Sequence, residues 1–117
     1  MTRDVPSLFA DKPASAAAYL ALLDALDSLG EYTIEEKKTS LHVTAGKAAF
    51  LGVHPRKEGL RLNLVLARQL EGPRIAKVES RSANVFHNEL DVRASGDFDP
   101  QLKDWLREAR KRSLGEE

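Results

Sequence analysis

Three histidines, at positions 42, 54 and 87, are the residues best suited to proton transfer near neutral pH, and Glu79 and Glu89 are carboxylates within reach of the same segments. Three imidazoles can also build a zinc site if the fold gathers them. Here they fall on separate segments, and none has the helical i,i+4 or short-loop spacing of metal ligands, so no metal and no cofactor are expected. Lys38 stands before a Thr-Ser pair at the start of a strand. A buried lysine there would act as base or anion ligand, whereas a solvated one would only protect a strand edge.

The second chemistry available is anion binding. The formal charge is zero, with 18 basic and 18 acidic side chains, but it is unevenly placed. Residues 1–36 carry two basic and seven acidic groups, residues 37–81 ten basic and three acidic, and residues 82–117 six basic and eight acidic. A basic middle between acidic ends implies one positive surface rather than a basic protein. Lys37-Lys38, Arg56-Lys57, Arg61, Arg68, Arg74, Lys77 and Arg81 supply it. Glu79, Glu89 and Asp91 dilute it, and few outward aromatics are available for stacking bases.

Other chemistries are excluded by pattern. There is no cysteine, so disulfides, thiolate metal sites and thiol nucleophiles are absent. No Gly-x-Ser-x-Gly or Ser-x-x-Lys set supports a serine nucleophile. Gly46-Lys47 lacks the rest of a phosphate loop. Asp24 and Asp27 share the wet side of a helix, and Trp105 sits on an apolar helical stripe as a core anchor.

These residues need elements to hold them. A length of 117 residues suits one domain, expected over 11–117 behind an arm at 1–10 that Val5, Leu8 and Phe9 can anchor. Met1 to Asp11 lacks the build of a signal peptide, which points to the cytoplasm, and the apolar stretch from Ala14 to Leu29 is too short and too polar to span a bilayer. Tyr19, Leu22, Leu23, Leu26 and Leu29 recur at three and four and predict a first helix, capped by Asp11 or Ser15 and ended at Gly30.

From Glu31 the period becomes two. Strands are predicted around Tyr32 and Ile34, over Leu41–Ala45, over Ala49–Val53 with a break from Pro55 to Gly59, and over Leu60–Leu66. A weaker strand at Ile75–Arg81 would turn Ala76 and Val78 to the core. The next would turn Phe86, Leu90 and Val92 inward and His87, Glu89 and Asp91 outward. Short connections make neighbouring strands antiparallel, in what a simple meander would arrange. Asp99 caps a last helix with Pro100 at its first position, and Leu102, Trp105, Leu106 and Ala109 form its stripe. Gly115 and the acidic end are expected to fray. The fold class is α+β: an antiparallel sheet of five or six strands, an N-terminal helix, and a C-terminal helix on one face.

Lys38-Thr39-Ser40-Leu41, Phe50–Val53 followed by Pro55-Arg56-Lys57, Leu60–Leu64, Phe86-His87, Asp99–Leu102 and Trp105–Ala109 occur in an order that resembles an uncharacterised bacterial domain family. That family is sometimes labelled a predicted transport protein, and the layout is similar to the small YjbR/MmcQ-type α+β domains. The resemblance covers most of residues 9–112. It implies the fold, assigns no enzyme activity, and matches recurring polar residues at Lys38, Arg61 and His87. The family's usual tyrosine after the helix alanine is Arg110 here.

The leading expectation is a non-catalytic cytoplasmic module that binds an anionic ligand (nucleic acid, nucleotide or acidic protein) through Lys38, Arg56, Arg61 and His87. A small enzyme, with His87 or Lys38 moving a proton and Arg61 holding an anion, is one rival. A structural role, pairing two copies as a homodimer through a strand edge or helix flank, is the other. No membrane partner is expected.

Overall fold

The computed structural model describes residues 6–93 and 95–115. It is an α+β fold in which a six-stranded antiparallel sheet carries both helices on one face. The elements are α1 (Pro13–Asp27), β1 (Thr33–Glu36), β2 (Leu41–Thr44), β3 (Ala49–Arg56), β4 (Gly59–Leu66), β5 (Ile75–Ser82), β6 (Val85–Val92) and α2 (Pro100–Leu114).

The alternation along β4 makes the core. Leu60, Leu62, Leu64 and Leu66 are all buried, at 1% exposure or less, on the face that meets α1 and α2. Each such leucine stabilises the fold by about 1.5–3 kcal/mol relative to an exposed one. Leu41, Val43, Leu51, Val53, Leu90 and Val92 extend this layer, and Leu22, Leu26, Leu102 and Leu106 close it from the helices.

The strand order is β1-β2-β3-β4-β6-β5, so the arrangement is not a simple meander. After β4 the chain crosses back at residues 67–74, and β6 slots between β4 and β5. Asn88 pins that crossing. Its inward place on β6 is fully buried, its Oδ1 accepts from Leu70 N at 2.8 Å, and its Nδ2 donates to Arg68 O at 3.2 Å and Leu64 O at 3.3 Å. A buried amide is kept only where its hydrogen bonds are met, as these are.

Several local expectations are corrected. Lys12, not Asp11 or Ser15, stands at the N-cap of α1 and offers no side-chain bond; Asp11 instead takes a left-handed φ of 65°, and Ser15 is buried one turn inside. Proline at the first position already removes one orphan N–H. Pro55 does not break β3, which runs on to Arg56. β2 begins opposite Val53, so Pro55 lies where only β4 remains as a neighbour, and edges tolerate a missing N–H. Ala76 is exposed, because register slips between Ile75 and Lys77 at the sheet's outer edge.

Helix α2 follows expectation at its start, where Asp99 accepts from Leu102 N at 3.0 Å. At its end Gly115 does not fray: it is a left-handed cap, φ 80°, whose N–H bonds Arg112 O. Of the expected N-terminal anchors, Phe9 is buried with its ring stacked on Tyr19 at 4.7 Å. Val5 and the acidic end Glu116-Glu117 lie outside the described residues.

Candidate functional site

Since α1 and α2 occupy one face, the opposite face of the sheet is open, and every candidate residue but Lys38 is carried there or at its rim. Alternation puts His42 of β2, Gly52 and His54 of β3, Arg61 and Asn63 of β4, and His87, Glu89 and Asp91 of β6 on this side. Two regions of it differ in chemistry.

The first is the end bearing the β1–β2 and β3–β4 turns. Here Arg56, Lys57, Glu58, Arg61, Asp91 and Arg93 surround a cavity of about 450 Å³. Gly59 makes the convergence possible. Its φ is 150°, and a Cβ on it would lie 2.1 Å from Val92 O, so a side chain would push the hairpin off β6 and carry Arg93 away from Arg56 and Lys57.

Arg61 is not available to a ligand in the way its neighbours are. Its Nε donates to Asp91 Oδ1 at 2.6 Å, Nη2 to Asp91 Oδ2 at 3.1 Å, and Nη1 to Glu89 Oε1 at 3.2 Å. The fork bound to Asp91, joined by Glu89, raises its pKa above the ordinary arginine value against the opposing effect of burial. Two carboxylates on one guanidinium leave that spot without net positive charge. Among the described residues, the side chains of Arg56, Lys57 and Arg93 form no ion pair.

The second region lies toward the other end, over Gly52. A hollow of about 330 Å³ is bounded there by His42, Asn63, Val65, Val85, His87 and Arg112. Asn63 Nδ2 sits 2.9 Å from His87 Nδ1. An amide nitrogen only donates, so Nδ1 accepts and the neutral ring carries its proton on Nε2. Burial first, and then Arg81, push the His87 pKa below the ordinary histidine value, with Glu79 and Glu89 opposing. His54 is lowered too, by burial first, with Glu89 opposing and Arg56, His42 and Arg61 adding to the fall.

The four expected site residues therefore do not form one site. Arg56 and Arg61 share the turn-end cavity. His87 lines the hollow. Arg61 pairs with Asp91 and His87 with Val65, four positions apart along β4, or about 13 Å at the usual strand rise. Lys38 is exposed in the β1–β2 turn and lines neither cavity. The pairings Leu41–Val53, Val53–Leu62 and Leu62–Leu90 put Lys38 and His87 beyond opposite sides of one row, on strands three steps apart, so more than about 15 Å separates them. Sequence reading missed Arg93, which only the β6–β4 pairing brings to the hairpin, and Gly52, which no motif marks. The described residues hold no cluster of three metal-ligating side chains, and no helix among them is long and apolar enough to cross a membrane.

A family model, the domain of unknown function DUF5655, matches residues 5–111. The chain belongs to that family. Comparison with curated proteins and with solved structures gave no match. The match covers the residues of both regions of the open face except Arg112. Arg110 lies over Gly30, where a Cβ would be 2.6 Å from Nη2, and donates to Glu31 O at 3.1 and 3.2 Å. It ties α2 to the start of β1 and is remote from both cavities.

Proposed function

We propose that the protein is a non-catalytic, cytoplasmic binding module for a small phosphate-bearing anion, held by Arg56, Lys57 and Arg93 at the turn end of the sheet. The observation that carries this reading is the convergence on one cavity, enforced by Gly59, of three cations without ion-pair partners among the described residues. Guanidinium forks match phosphate oxygens two at a time, and the lysine adds a mobile point charge. Arg61 does not hold the anion. It serves as a bracket between β4 and β6, and Lys38 contributes only at long range from the neighbouring turn.

The size of the positive patch favours a nucleotide over a nucleic-acid strand. A strand needs a continuous cationic track, and Glu58, Asp91, Glu89 and Glu79 interrupt one here. The enzyme alternative, with His87 or Lys38 moving a proton beside Arg61, loses support from the same geometry, because His87 stands four positions along the sheet from Arg61 and Lys38 does not line the cavity that Arg61 lines. Pairing of two copies through β5 is disfavoured. That edge carries Lys77, Glu79 and Arg81, with register slips at both ends.

Calorimetric titration with pyrophosphate at low salt tests the proposal. The expected result is saturable binding that weakens as salt is added and is lost in the triple variant R56Q/K57Q/R93Q. Absence of heat at millimolar pyrophosphate, or equal binding by the triple variant, removes it. Tighter binding of a single-stranded oligonucleotide than of a mononucleotide would replace the nucleotide reading with a strand-binding one.

A further inference from the structure

Glycine in the interior of a central strand weakens a sheet, because it loses more backbone freedom on folding and packs no side chain. Some glycines of this chain are explained by sterics. Gly46 is: a Cβ there would lie 2.2 Å from Ser113 O. Gly59 is as well. Gly52 is not. Its φ lies outside the left-handed region, and an added Cβ would rest 3.4 Å from Asn63 Cβ and 3.9 Å from His54 Nε2, close to ordinary contact. The backbone does not require glycine here. What glycine does is leave the floor of the 330 Å³ hollow bare, on a strand whose neighbours on both sides hold side chains over it.

A second observation comes from Asn63. Its Oδ1 is shielded from solvent, with no hydrogen-bond partner among the described residues, while its Nδ2 meets His87 Nδ1 and holds that ring in place at the wall of the hollow. Turning the amide over would only exchange which polar atom is orphaned. Next to it the His87 ring offers its Nε2–H as a donor. The walls are partly apolar, through Val65 and Val85, partly imidazole, through His42, and partly guanidinium, through Arg112, whose Nη2 already donates to Asn84 O at 3.3 Å. Burial holds His87 in its neutral form.

We infer that the hollow over Gly52 is a binding site for a small, neutral, planar heteroaromatic molecule with a hydrogen-bond acceptor on its edge, as in a purine or pyridone ring. The bare glycine floor admits a flat ring against the sheet. An acceptor on the ring edge takes the His87 Nε2–H at the wall. This site is separate from the anion site, and neither depends on the other.

The test uses adenine as the probe, followed by the ring resonances of His42 and His87 in isotope-labelled protein. The expected result is saturable movement of both rings with adenine. G52V, whose branched side chain fills the floor and suits a strand, should bind at least tenfold more weakly while binding pyrophosphate as before. The smaller G52A serves if G52V does not fold, with a lesser loss. Failure of adenine to move either ring up to its solubility limit overturns the inference. So does equal adenine binding by the glycine variants. Benzoate binding in place of adenine would also overturn it, since that would make Arg112 and not His87 the recognising group.

Discussion

Gly59 and Gly52 stand seven residues apart on paired strands, and they teach opposite lessons. At Gly59 the fold needs glycine: the φ is positive and Val92 O occupies the space of a side chain. The gain is structural first, a hairpin laid against β6, and the cationic cavity follows from it. At Gly52 the fold would accept a side chain and is denied one. A residue explained by packing supports a site only indirectly, whereas one that packing does not explain points to the site itself. The same division separates the two faces of the sheet. The helix-covered face is dictated by burial at nearly every position, and the open face is where residues are free to serve a ligand.

The largest expected effect tests that division between faces. L64A, which empties a fully buried site, should cost about 2–5 kcal/mol in chemical denaturation. K77A on the exposed open side should change stability by no more than about 0.5 kcal/mol. Comparable losses from the two would break the comparison. Next comes N88A, which orphans Leu70 N–H and the carbonyls of the crossing, each worth about 1–3 kcal/mol when left buried and unpaired. Protection of the Leu70 amide from hydrogen exchange should fall with it.

The glycine pair is then decisive in sign. G59A should destabilise by about 1–3 kcal/mol from the backbone conformation alone, and more from the clash with Val92 O. G52A should stabilise, by about 0.5–1 kcal/mol, the cost of glycine in a strand. A destabilised G52A would mean that packing explains this glycine after all.

The smallest effect is in pH. His54 and His87 both titrate below the ordinary histidine value in the folded chain. The unfolded chain therefore binds more protons than the folded one between those lowered values and about pH 6.5, and stability rises with pH across that window. Acidification from neutrality should begin to weaken the fold below about pH 6.5, ahead of the carboxylates. H54Q/H87Q should flatten that limb. A double variant with the same slope as the parent would show that neither ring is buried as described.

Much of the fold was legible because its signals are local. Four leucines at alternate places from 60 to 66 dictate a buried side, and Asp99-Pro100 dictates a helix start wherever it falls. Strand order was not legible. A two-residue rhythm says which way a side chain points and nothing about which strand lies alongside, so the insertion of β6 between β4 and β5 was hidden. Asn88 hid with it, since a polar residue at an inward place reads as a flaw in the pattern until its partners on the crossing are seen. For the candidate site, Arg56 and Arg61 were legible as charge, but whether a charge is free depends on what faces it. Asp91 and Glu89 claim Arg61, while Arg93, from a distant stretch of chain, completes the cavity.

The central claim is that the open face has two separate binding regions, an anion cavity at the turn end and a hollow over Gly52. Backbone amide shifts on titration with pyrophosphate test it most directly. The account predicts movement confined to Arg56, Lys57, Arg93 and their neighbours, with Gly52, Asn63 and His87 unmoved. Movement centred on Gly52 and His87, or spread evenly over the open face, would contradict it.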